Sequence, residues 1–323
     1  MMMRYVCLVI FLSFFQFSFA KKKEITFKFE YKVDTLIMLS DSLLNSPTAL
    51  GKIDANRNYR RILRSILNDS LSIIYNFNRL QNLSVVSAPN NEFRIYTWTM
   101  RLGRDEYNYF GFTQYQRVRK KSFISPKIIE NYVYALENKS ASIGDDELAK
   151  LDSSNWWGCI YYNIIPSPKK SDKTFLLIGW DGFGYSSTKK IIETVKFSNK
   201  GVVTFGHKII RYDLTHGTKS APKYQTKSRI IFEYNGTVSI TCNYNYNIEM
   251  IVFDHLAPSN PGLVGNYRFY TPDFTYDALS YEKKKWVYKK DIDVRNKEDV
   301  KAIKWKPKDA KDKDINEIIP IHK

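Results

Sequence analysis

Trp157-Gly-Cys-Ile-Tyr-Tyr-Asn-Ile-Ile165 and Thr174-Phe-Leu-Leu-Ile-Gly-Trp180 stand on either side of Pro166-Ser-Pro-Lys-Lys-Ser-Asp172. Each run is short, rich in β-branched and aromatic residues, and bounded by turn formers, the pattern of two strands joined by a loop. The pattern continues toward the C-terminus. Ile191–Phe197 and Val202–Ile210 flank Ser198-Asn-Lys-Gly201, and Arg229–Tyr234 and Val238–Tyr244 flank Asn235-Gly236. Asn-Gly between two apolar runs is a strong hairpin signal, because both residues accept the positive φ of a type I′ turn. Glu249–Asp254 follows, and Ala278–Tyr281 and Trp286–Tyr288 flank a turn of lysines. Repeated short strands predict a mainly β protein built as an antiparallel meander. A sandwich, a partly closed barrel and a propeller-like stack all satisfy the pattern.

Upstream of this series, Phe93-Arg-Ile-Tyr-Thr-Trp98 and Tyr107–Tyr115 read as further strands. Ser125-Pro126 reads as a helix start, with Ser as the cap and Pro in the first turn. Ile128, Ile129, Tyr132, Val133 and Leu136 supply an apolar side, so the expectation is one inserted helix near 126–137. Residues 24–33 alternate, with Ile25, Phe27, Phe29, Tyr31 and Val33 on one face, and predict a strand. Helical spacing follows at Leu36, Leu39, Leu43 and Leu44 up to Pro47, and again from Tyr59 to Phe77. Arg60, Arg61 and Arg64 fall off that second apolar stripe. The domain reading is an N-terminal strand and helical section over 21–83, a β body over 84–296, and a charged tail over 297–323.

The chain opens with the basic start Met1–Arg4 and an apolar run from Tyr5 to Phe17. Ser18-Phe19-Ala20 and then Lys21-Lys22-Lys23 follow. That layout predicts a secretory signal peptide over 1–20, with small residues placed for cleavage after Ala20. The run is shorter than the ~20 apolar residues of a membrane span, so the mature chain is expected to carry no transmembrane segment and to be periplasmic or secreted. The formal net charge is +17. Export argues against nucleic acid as its partner, and directs the charge toward acidic envelope glycans, lipid head groups or a protein partner. Cys159 and Cys242 lie in strand-like runs; export permits a disulfide between them, and two buried free thiols is the favoured reading.

No motif carries a reaction by itself. Gly179-Trp-Asp-Gly182-Phe-Gly184 has the glycines of a phosphate loop, but Tyr185 stands where the phosphate-binding Lys belongs. The segment reads as a turn between antiparallel strands, its glycines supplying positive φ. Histidine is scarce and no paired-His or Cys-x-x-Cys spacing occurs, so the sequence calls for no metal and no cofactor. The weak catalytic candidates are Asp254, His255, Asp273 and Asp277, from which a hydrolase would draw an acid and a base.

The blocks Phe93–Trp98, Trp157–Tyr162, Leu177-Ile-Gly-Trp-Asp-Gly182, Met250-Ile-Val-Phe-Asp-His-Leu256, Phe269-Tyr-Thr-Pro-Asp273 and Trp286–Asp293 resemble, in order and spacing, a family of uncharacterised exported proteins of Bacteroidota. The resemblance covers roughly residues 84 to 296. It implies a bacterial envelope setting and transfers no activity. The sequence therefore leads to an exported, non-catalytic binding or scaffolding protein, with the Asp/His hydrolase as the alternative.

Overall fold

The computed structural model describes residues 27–294, apart from 104–105, 121–125, 170–171, 183, 185, 216–220 and 222. The predicted signal peptide and charged tail lie outside the described residues. Among the described residues no helix is long and apolar enough to cross a membrane.

The chain stacks four layers, one of helices and three of sheet. Two helices, α1 (27–45) and α2 (Ala49–Leu67), make the first layer. Thr48 caps α2 by accepting the Gly51 amide at 3.1 Å. The first sheet runs β1 (Ser84–Ser87), β2 (Phe93–Arg101), β3 (Tyr107–Arg119) and β4 (Ile128–Leu136) in that order, all antiparallel. Side chains alternate across it, as the pleat requires. Tyr96, Trp98, Met100 and Phe112 meet Val33, Leu36, Tyr59 and Leu63 of the helices. Phe93, Ile95, Tyr109 and Tyr115 point the other way, to the second sheet.

That second sheet holds β5 (Leu151–Asp152), β6 (Ile160–Pro166), β7 (Phe175–Asp181), β8 (Ser187–Phe197) and β9 (Val203–Phe205), with β12 (Arg229–Asn235) also paired to β8. It is covered on both faces, which is why Phe175–Trp180 reads as a nearly unbroken apolar run. Leu177, Ile191 and Val195 face the first sheet, while Leu176, Ile178 and Ile192 face the third. The third sheet contains β10 (Ile210–Asp213), β11 (Tyr224–Lys227), β13 (Cys242–Asn245), β14 (Met250–Pro258), β15 (Tyr270–Glu282) and β16 (Lys285–Lys289). Its Ile251, Phe253, Leu279 and Trp286 close the last core. The mainly β expectation holds, and of the three architectures left open the chain takes stacked open sheets.

Several local expectations differ from the structure. Residues 27–33 are helical, not a strand. Phe29 and Val33 are buried but Phe27 and Tyr31 are 82% and 83% exposed. The alternation ran alongside a second spacing, Phe29-Val33-Leu36-Ser40-Leu43, and burial follows that one. The segment near 126–137 is β4, not a helix. Its nine residues pair with β3 from Gly111↔Leu136 to Arg119↔Ile128, and β-branched and aromatic residues suit that pleated edge. Asn235-Gly236 does not join a hairpin. β12 pairs with β8 and β13 with β14, so the chain crosses there between sheets, held by Thr237 donating to Asn235 Oδ1. Val202–Ile210 is two strands in different sheets, divided at Gly206, whose φ is +85°.

The Gly179–Gly184 segment does join antiparallel β7 and β8. Neither Gly182 nor Gly184 has positive φ, however. Gly182 is required by close approach, because a Cβ there would lie 2.5 Å from the Tyr107 ring.

A buried polar cluster fixes the middle sheet. Arg229 and Glu193 are directly opposite on β12 and β8, both wholly buried, and Arg229 Nε donates to Glu193 Oε1 at 2.8 Å. The other Glu193 oxygen accepts from Tyr161 Oη at 2.6 Å, which accepts from Trp156 Nε1. Arg229 also donates to the carbonyls of Asp146 and Ala149 at 2.5 and 3.0 Å. Residues 145–149 thus form a strap over the part of β8 and β12 carrying this cluster. Lys189–Asp145 (2.7 Å) and a close Lys227–Glu147 ion pair extend it.

Candidate functional site

Three of the four sequence candidates meet at the bulged end of β14 and β15. The register shift between Asp254 and Leu256 re-aims this part of β14. His255 Nδ1 lies 2.7 Å from Asp277 Oδ2, and His255 Nε2 lies 3.9 Å from Asp273 Oδ2. Asp277 also accepts from Tyr288 Oη at 2.7 Å and from the Asp291 amide at 3.1 Å. Asp254 is not part of this group, since its carboxylate accepts the Thr241 amide at 2.5 Å. Asp273 accepts from the amide and hydroxyl of Thr275, holding a tight turn around Phe274. Phe274 has φ +70° and is 92% exposed.

Electrostatics describe this trio as an ion-pair clasp. The hydrogen bond to Asp277 is the chief cause that raises the His255 pKa; burial opposes it, and the charges of Asp277 and Asp273 add to it. Burial alone would raise the Asp277 carboxyl, but the hydrogen bonds from His255 and Tyr288 outweigh it and bring it below the usual carboxylate range. The raised pKa favours the protonated imidazole, which has no lone pair to act as a general base. None of four cavities lined by described residues includes His255, Asp273 or Asp277. Among the described residues no group of three or more His, Cys, Asp or Glu could hold a metal ion.

The arrangement best suited to a ligand lies on the helical layer. Arg57, Arg60, Arg61 and Arg64 recur at i, i+3, i+4 and i+7, so α2 carries them on one face. They border a groove of about 550 Å³ whose floor is Ile53, Met100, Phe110, Phe112 and Ala135. That volume falls within the range of small-ligand sites. The Arg60 guanidinium sits 5.6 Å from the centre of the Phe110 ring, a cation–π placement that keeps it over the floor. Arg57 pairs with Asp54 at 2.8 Å, but both are largely exposed, so water screens that pair heavily. Among the described residues the Arg64 side chain has no hydrogen-bond or ion-pair partner. Asn56, the remaining lining residue, is tied up by accepting Trp98 Nε1 at 2.9 Å. The sequence shows the arginines as residues off the apolar stripe. It does not show that β3 and β4 place an aromatic floor beside them.

Comparison with protein-family models, curated proteins and solved structures finds no match.

Proposed function

We propose that the protein is an exported envelope protein that binds an acidic glycan in the arginine groove of α2 without transforming it. One observation carries the reading: the groove is lined by four arginines over an apolar floor and by no carboxylate, His, Cys, Ser or Thr. Guanidinium groups pair with carboxylates and phosphates in a fixed fork geometry, and they do not exchange protons near neutral pH. The apolar faces of sugar rings suit Phe110, Ile53 and Ala135. Such a lining supports recognition and offers neither a general base nor a nucleophile. Export rests on the sequence of residues 1–23.

Calorimetric titration with an acidic polysaccharide and with neutral dextran tests this. Binding is expected for the acidic polymer only, to weaken with added salt, and to fall at least tenfold in Arg60→Glu/Arg64→Glu. That size follows from charge-assisted hydrogen bonds worth about 1.5–3 kcal/mol each. Equal binding of dextran, or an unchanged affinity in the charge-reversal variant, refutes it.

The hydrolase alternative keeps one supporting observation, the His255–Asp277 hydrogen bond with Asp273 beyond it. None of the four cavities above reaches that place. Substrate turnover abolished by His255→Gln would restore it.

A further inference from the structure

The end of the molecule where α1 begins and α2 stops has a property that the groove does not use. Lys28 of the first turn of α1 pairs with Asp69 at 2.6 Å, just past α2. Gln116 of β3 donates to the Ser70 carbonyl at 2.5 Å, and Asn131 of β4 donates to the carbonyls of Leu67 and Asn68. These contacts are the last that the helical layer makes with the β3–β4 hairpin among the described residues. Pairing continues outward through Arg117↔Glu130, Val118↔Ile129 and Arg119↔Ile128. The hairpin therefore extends beyond its cover.

Apolar side chains remain in water there. Val118 and Ile129 are directly opposite on the strand face that helices cover farther in, and are 59% and 49% exposed. Ile128 on the opposite strand face, Ile74 at the end of the 70–74 turn, and Phe27 and Tyr31 on the outer side of α1 beside Lys28 are exposed as well. A cluster of exposed apolar groups rimmed by polar ones marks an interaction surface. The rim is basic, with Arg117, Arg119, Lys120 and Lys127 on the hairpin and Lys28 and Lys32 on α1. Of the carboxylates at this end, Asp69 is paired with Lys28 and Glu130 with Arg119; Glu92 accepts from Tyr115 Oη at 2.8 Å, and Glu30 lies on α1.

We propose that this end docks on an anionic lipid bilayer. Protruding apolar residues ringed by cations fit a bilayer surface, where the apolar groups enter the interface and the Lys and Arg stems carry their charges to the head groups. Cations near an anionic leaflet are drawn to its head groups. The direction of the chain agrees. Residues 1–26 join the described structure at Phe27, at this same end, and their sequence is an apolar run flanked by Arg4 and Lys21–Lys23. The surface uses residues separate from the groove, so it stands without the glycan reading.

Co-sedimentation of the full chain with phosphatidylglycerol/phosphatidylethanolamine vesicles, against phosphatidylcholine vesicles, tests the proposal. Val118→Asn/Ile129→Asn and Arg117→Glu/Arg119→Glu are each expected to lower partitioning on the anionic vesicles at least tenfold. Lys283→Glu/Lys284→Glu, on the third sheet, is expected to leave it unchanged. A thermal melt of each variant checks folding, and Ile128→Asn, on the opposite strand face, replaces the first pair should that fail to fold. All variants keep residues 1–26, so any binding by that segment is common to them. Unchanged partitioning in the tip variants, or equal binding to phosphatidylcholine, overturns the proposal. So does a dimer in light scattering that the tip substitutions dissolve, because the surface then serves a second copy. Glycan binding at the groove is expected to survive the tip substitutions, so either reading can fail alone.

Discussion

Replacing Arg229 by Met removes the one cation that neutralises Glu193 in a site where both side chains are wholly buried. The carboxylate keeps its hydrogen bond from Tyr161 but loses its counter-charge. Breaking a buried pair from one side costs about 3–5 kcal/mol, because the remaining charge has no solvent to return to. The carbonyls of Asp146 and Ala149 lose their donors as well, though they sit on the 145–149 strap, where water can replace a donor. We take about 4 kcal/mol for the single change. Against a total stability of about 5–15 kcal/mol, that is a large share. Arg229→Met/Glu193→Leu is expected to cost less than Arg229→Met alone, since no charge is stranded. Urea unfolding followed by tryptophan fluorescence reads both, through the midpoint at constant slope. A cost below about 1 kcal/mol for Arg229→Met, or strictly additive single costs in the cycle with Glu193→Leu, refutes the reasoning.

Three further outcomes are expected. The β15–β16 turn has Lys283 and Lys284 at φ +48° and +66°, a conformation that suits Asn-Gly, so Lys283→Asn/Lys284→Gly should raise stability by about 1 kcal/mol in a thermal melt; a lowered midpoint contradicts the strain argument. The raised pKa of His255 means that its contribution is fully present below the unfolded value of about 6.5 and is lost as pH rises through the folded value. Stability measured from pH 6 to 9 should therefore decline less steeply in His255→Gln, and an identical decline would show that the Asp277 clasp is not its source. Cys159 and Cys242 belong to cores on opposite faces of the middle sheet and are both free. Burial raises both thiols, Cys242 to about 12. Alkylation should reach them only on unfolding, with rapid labelling of the native chain as the contrary result.

Much of the strand content was legible because residue type and bounding turns are local properties. Phe93–Trp98, Phe175–Trp180 and Met250–Asp254 announce themselves by residue type and bounding turns. Residues 27–33 and 128–136 misled because Phe29-Val33 and Ile128-Ile129-Tyr132-Val133 satisfy both periods over so short a length. In the first case the continuation into Leu36, Ser40 and Leu43 settles it. In the second the nine-residue register with β3 does. Local hairpin chemistry at Asn235-Gly236 yielded to long-range pairing, since β12 gains more by completing β8 than by folding back on β13.

The same division runs through the sites. His255, Asp273 and Asp277 stood out as a neighbourhood in the chain, and the bulge after Asp254 brought those three together and left Asp254 outside. Arg60, Arg61 and Arg64 were visible as polar positions on a helix, but a groove needs a second wall. The sequence by itself determined that the chain is basic and mostly β and where many of its strands run, because those follow from side-chain chemistry over a few residues. Tertiary structure alone decided the stacking of three sheets, the burial of Arg229 against Glu193, the aromatic floor under the α2 arginines and the uncovered tip of β3–β4. Each of these depends on what a face meets across the fold, and a periodicity states only that a face exists.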